Sequence, residues 1–137
     1  MNRTRTLLSA ALIATTLAAV NAPALAAATK AAAPASERYV PYSKLAFDAA
    51  QGTQRVLFFA ASWCPNCRAA DADITRNLGK IPANVTIFKT DYDREGALKK
   101  MYGITYQHTF VLVDRDGKAL KKWAGGKLDQ VLANTRK

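Results

Sequence analysis

The chain has 137 residues with 20 Lys and Arg against 10 Asp and Glu, a formal charge of +10, and only two cysteines and one histidine. That length admits one domain with a single core, and one His with two Cys cannot close a four-ligand structural zinc site. The basic residues are scattered, some in pairs such as Lys99-Lys100 and Lys121-Lys122, with no aromatic interleaving, so they read as a solvated surface without a nucleic-acid signature.

The N-terminus carries a positive stretch from Met1 to Arg5, an apolar run from Leu7 to Val20 and the small-x-small sequence Ala24-Leu25-Ala26. This is the pattern of a secretory signal peptide cut after Ala26. A retained anchor needs about 20 continuous apolar residues, and Thr15, Thr16, Asn21 and Pro23 interrupt or end this run. The expected location is secreted or periplasmic, where disulfides form and persist, with no stable membrane insertion after cleavage. Cleavage removes Arg3 and Arg5 and leaves 111 residues carrying +8. Residues 27–38, Ala-rich with Pro34, are expected to be a flexible leader, and residues 39–137 the folded domain.

Tyr42 to Gln51 predicts a short helix with Ser43 as its N-cap and Gly52 as its end. Arg55 to Ala61 is a continuous apolar run of strand length, as expected of a central strand covered on both faces. Pro65 to about Leu78 predicts a helix, with Pro65 in the first turn, where a missing N–H costs nothing, and Gly79 ending it. Val85 to Tyr92 reads as an alternating strand, and Arg94 to Tyr102 as a helix closed by Gly103. Thr109 to Asp114 and Lys118 to Trp123 flank the turn Asp114-Arg115-Asp116-Gly117 and predict an antiparallel hairpin. Lys127 to about Thr135 places Leu128, Val131 and Leu132 on one face of a closing helix. From the first strand onward the order is β-α-β-α-β-β-α, which implies an α/β fold: a central mixed β-sheet flanked by helices.

Both cysteines lie in Ala61-Ser62-Trp63-Cys64-Pro65-Asn66-Cys67, between a predicted strand and a predicted helix. A C-x-x-C there places one thiol to attack a disulfide and the other to resolve the product. Cys64 falls just before the helix, where unpaired N–H groups and the helix dipole favour a thiolate, and Cys67 one turn inside it. Two other readings of the pair stand beside this one. A structural bridge across four residues constrains little unfolded-state entropy. A metal clip would add His108 to Cys64 and Cys67, a two-sulfur, one-nitrogen set suited to copper or zinc with an open position.

Three segments, in order and spacing, resemble the thioredoxin family: Trp63-Cys64-x-x-Cys67, Lys89 to Asp93 before a helix, and Tyr102-Gly103-Ile104 leading to Thr109-Phe110-Val111. The likeness covers about residues 42–135. It implies a thioredoxin-like thiol–disulfide oxidoreductase with a redox-active Cys64–Cys67 disulfide, no dissociable cofactor and a substrate groove. Trp63, Pro65, Tyr106, Gln107 and Thr109 are the groove candidates. The implied partners are protein thiols and disulfides, plus a membrane or extracytoplasmic redox partner for what is expected to be a monomer.

The sequence departs from the family pattern twice. His108 stands where a cis-proline usually precedes the Thr, so the loop is either trans or strained, because a non-proline cis bond costs about 2.5–4 kcal/mol. Phe58 stands six residues ahead of Cys64, where many thioredoxins bury an Asp. Without that carboxylate the Cys67 proton must go to water, to Lys89 if neutral, or to His108. His108 is therefore a candidate proton or thiolate partner, with Lys89 as a second, and a loop histidine bonded to backbone as the plainer alternative.

Overall fold

The computed structural model describes residues 33–136; the expected signal peptide over 1–26 and the leader up to residue 32 lie outside the described residues. Ala35–Glu37 forms a 3-10 turn and Tyr39–Pro41 a short strand, β1. Arg38 ties this segment down, donating from Nε and Nη2 to the Ala33 carbonyl and from Nη1 to the Ile81 carbonyl at 2.7 Å. The last residues of the expected flexible leader are thus folded, and they lead into a strand that the sequence reading missed.

Lys44–Ala49 forms α1, with Ser43 Oγ accepting from the Ala46 N–H at 3.1 Å as its N-cap. It stops short of Gly52, at Ala50. The following elements are β2 at Gln54–Ala60, α2 at Pro65–Arg76, β3 at Val85–Asp91 and α3 at Gly96–Tyr102. The last three are β4 at Thr109–Val113, β5 at Ala119–Ala124 and α4 at Leu128–Thr135. Gly79 does not end α2 directly, since a 3-10 turn at Leu78–Lys80 follows the helix. Gly103 does end α3, with φ 60, a left-handed conformation that glycine adopts without steric cost.

The sheet order is β1-β3-β2-β4-β5. β3 runs parallel to β1 and β2, while β4 is antiparallel to β2 and β5 to β4. This is the thioredoxin-like mixed sheet expected, with one more strand. β2 sits at its centre. Val56, Phe58 and Ala60 pack with Ala70 and Ile74 of α2 and with Leu128 and Val131 of α4. Leu57 and Phe59 pack on the opposite face with Phe47 of α1 and Tyr102 of α3. The alternation read for β3 is corrected: Val85, Thr86, Ile87 and Phe88 are all buried, because β3 lies between two strands with helices over both faces.

Two polar side chains join the elements around this core. Asp73 of α2 accepts the Leu128 N–H through Oδ2 at 3.1 Å, supplying the cap that Lys127 does not. Arg55, 1% exposed, donates to the carbonyls of Phe47, Asp114 and Arg115.

Candidate active site

β2 ends at Ala60, and Cys64 is the N-cap of α2 with Pro65 in the first turn. Extended backbone at Cys64, φ −82 and ψ 114, turns its Sγ over the open end of the helix, where it accepts the Cys67 N–H at 3.2 Å. The pair is present as two free thiols, with 4% of Cys64 and 1% of Cys67 exposed, so Cys67 is the more enclosed of the two.

The two thiols are electrostatically unlike. Burial works to raise Cys64, but hydrogen bonds from the Cys67 thiol, the Cys67 and Asn66 N–H groups and the Gln107 side chain outweigh it and hold Cys64 below the ordinary thiol value. Cys67 is pushed up to about 11, by burial first and then by its hydrogen bond to Cys64. The arrangement stabilises a thiolate on the first sulfur and keeps the proton on the second. A thiol with a lowered pKa stays ionised as pH falls below the usual thiol range near about 8.5. Iodoacetamide should therefore alkylate Cys64 at a rate that holds up through that range and falls only at lower pH. A rate that titrates like a free thiol would contradict this geometry.

The other site candidates are placed as follows. Trp63 is 56% exposed and donates from Nε1 to Asp93 Oδ2 at 3.1 Å, so it is part of the surface around Cys64. Tyr106 is equally exposed, while Thr109 is buried and donates from Oγ1 to the Tyr106 carbonyl at 2.9 Å. Lys89 pairs with Asp71 Oδ2 at 2.7 Å. A groove of about 520 Å³ runs beside Cys67, with Arg68, Asp71, Lys89 and Asp93 in its walls.

His108 resolves the loop question in favour of a trans peptide with a strained residue. No cis peptide occurs among the described residues, and His108 takes φ 57. Histidine enters this left-handed region more readily than most residues, at a cost of about 1–3 kcal/mol. Main-chain bonds fix it on both sides: its N–H donates to the Phe59 carbonyl at 2.8 Å and its carbonyl accepts from Gly125 at 2.7 Å. The ring is held by Nε2 to the Gly126 carbonyl at 2.9 Å, with Phe58 and Phe110 tilted against it at 5.8 Å. This is the backbone-bonded loop histidine.

The proposed copper or zinc set of Cys64, Cys67 and His108 is not assembled. Among the described residues no group of three or more His, Cys, Asp or Glu is placed to hold a metal ion. Gln107, read from sequence only as a groove residue, is instead one of the groups that hold the Cys64 thiol down. Gln107→Leu should raise the pH midpoint of Cys64 alkylation, whereas His108→Asn, which tolerates the same φ, should leave it in place. The opposite pattern would make the ring the thiolate's partner.

The family model for Thioredoxin matches residues 41–137. The chain belongs to the thioredoxin family. Among its thioredoxin relatives, Thioredoxin H2 of Arabidopsis thaliana is 36% identical over 76 residues, 56% of each chain. Thioredoxin H3 of the same plant is 28% identical over 82 residues, 60% of this chain and 68% of that one. Among solved structures, Thioredoxin NaTrxh from Nicotiana alata gives a TM-score of 0.60 at 25% identity, over 72% of this chain and 90% of that one. Trxlp from Edwardsiella tarda gives 0.57 at 27% identity, over 70% and 95%. The thioredoxin homologues imply the class of chemistry: thiol–disulfide exchange by an oxidoreductase.

Phe58 departs from the thioredoxin pattern and packs in the same buried cluster as Cys64 and Cys67. Phe58, where many thioredoxins carry Asp, is fully buried and stacks on Phe110 at 4.4 Å, which stacks on Trp123 at 5.5 Å. A carboxylate in that aromatic column would be stripped of water without a partner.

Proposed function

We propose that this thioredoxin-family protein exchanges disulfides with protein substrates outside the cytoplasm, with Cys64 as the attacking thiolate and Cys67 as the resolving thiol. The Cys64 Sγ at the open end of α2, accepting the Cys67 N–H at 3.2 Å, is the observation that carries the assignment. Cys64 attacks one sulfur of a substrate disulfide and releases the other half as a thiol. Cys67 then attacks Cys64 Sγ, frees the remaining half and leaves a Cys64–Cys67 disulfide, two electrons having passed to the substrate. Run in reverse, the same steps oxidise a substrate dithiol. The bridge itself carries the electrons, so no dissociable cofactor is required, only a redox partner in the membrane or outside it. Trp63, Tyr106 and Gln107 offer the surface around Cys64 that a protein substrate would cover, with Pro65 and Thr109 beside them.

The extracytoplasmic setting is supported by the Arg3 and Arg5 positive stretch, the apolar run and Ala24-Leu25-Ala26. Expression of the full chain in a bacterial host should yield an exported protein whose mass corresponds to residues 27–137. A full-length product retained in the cytoplasm would remove that half of the proposal.

A further inference from the structure

The exchange cycle leaves one proton to place. When Cys64 is tied up in a mixed disulfide, Cys67 must give up its thiol proton before it can attack, and it is 1% exposed. The nearby side chains narrow the choice of acceptor. Phe58, in the same buried cluster as the pair, is apolar, and the His108 ring is bonded to Gly126. Asp91 and Asp93 line the same groove but stand at the end of β3 and just beyond it, turned to local partners, with Asp91 Oδ1 accepting the Asp93 and Arg94 N–H groups and Asp93 Oδ2 accepting from Trp63.

Asp71 is set apart by standing on the same helix as Cys67. It follows Cys67 by four residues on α2, on the same helix face, and both line the groove that opens to solvent. Its carboxylate is fixed at both oxygens, with Tyr39 OH donating to Oδ1 at 2.6 Å and Lys89 Nζ to Oδ2 at 2.7 Å. Its side chain remains 31% exposed, so groove water reaches it. Burial, reinforced by the hydrogen bond to Asp71, pushes the Tyr39 hydroxyl up, so Tyr39 stays a donor over the working pH range.

We propose that Asp71, held by Lys89 and Tyr39, is the acceptor for the Cys67 proton in the resolving step. The inference rests on the assignment of Cys67 as the resolving thiol. The proton leaves Cys67 for the Asp71 carboxylate by way of groove water, and the Cys67 thiolate attacks Cys64 Sγ. The bond from Cys64 to the substrate sulfur breaks, and the departing thiolate recovers a proton from Asp71 or from solvent. Loss of the Cys64 negative charge in the mixed disulfide removes one of the causes that hold the Cys67 thiol up, which makes the transfer easier at the moment it is required. The carboxylate of this site thus comes from α2, not from β2.

Dithionitrobenzoate separates the two steps, because the reduced chain releases one coloured thiolate when Cys64 attacks and a second when Cys67 resolves. In Asp71→Asn the second release should slow by about tenfold at neutral pH, less than the usual general-base contribution of about a hundredfold or more because groove water remains as an acceptor, while the first keeps its rate. The deficit should shrink as pH rises toward the titration of Cys67 itself, and Asp71→Glu should restore most of the rate. A second release unchanged in Asp71→Asn, or slowed by the same factor at every pH, would overturn the proposal. Absence of any second release from the unmutated chain would instead refute the role of Cys67 on which it rests.

Discussion

Replacing Cys64 by serine abolishes protein-disulfide turnover, a loss of at least about a thousandfold, since no other thiolate can form at the helix terminus. Cys67→Ser behaves differently. Its Cys64 remains at the N-cap of α2 and still attacks, but nothing displaces the product, so the variant accumulates a one-to-one mixed disulfide with substrate that mass spectrometry detects and a reductant reverses. The asymmetry follows from the two environments. Donated hydrogen bonds hold the Cys64 thiol below its ordinary value, whereas Cys67, pushed up to about 11, is protonated until it is called on. Normal turnover in Cys64→Ser, or equal trapping by both variants, would break the assignment of roles.

Arg55→Met destabilises the fold by about 3 kcal/mol, which lowers the urea midpoint by about 2 M for a domain of this size. Arg55 is a buried cation on the central strand, held by three carbonyls and by the Phe47 ring 4.1 Å from its guanidinium carbon. Those carbonyls belong to α1 and to the β4–β5 turn, so one side chain ties both to β2. Methionine retains the aliphatic volume but takes the guanidinium donor from the Phe47 and Arg115 carbonyls, while the Asp114 carbonyl keeps the Gly117 N–H at 3.1 Å, and a buried acceptor without a partner costs more than a hydrogen bond gains. A midpoint within about 0.5 M of the unmutated protein would mean that the carbonyls rehydrate freely and that Arg55 contributes only its stem.

The placement of the dithiol was legible in the sequence because it depends on local order. A strand, a C-x-x-C and a Pro-led helix put Cys64 at a helix terminus whatever the rest of the fold does. Ser43 as a cap, Gly103 as a stop and Asp114 to Gly117 as a turn were legible for the same reason. The sequence reading failed where the decisive neighbour is distant in the chain. β1 is three residues long and ends in proline, and only pairing with β3 makes it a strand. Arg55 reads as part of an apolar run, and the carbonyls that let its charge be buried include two some 60 positions away. Lys89 could be matched to a family position, but its partner Asp71 lies 18 residues before it on another element. The i, i+4 spacing of Cys67 and Asp71 was the available signal for that carboxylate. His108 lacked any such signal, because its ring direction is set by Gly126 and by the aromatic stack.

The most direct test of the account is the fraction of Cys64–Cys67 disulfide in the purified protein across a series of glutathione redox buffers, read by thiol trapping and mass, with and without a chelator. The account predicts one reversible two-electron transition that the chelator does not move. Its midpoint would tell whether the protein gives or takes electrons, each 30 mV corresponding to about 1.4 kcal/mol. A pair that exchanges only after chelator is added, or that never forms the intramolecular disulfide, would contradict it.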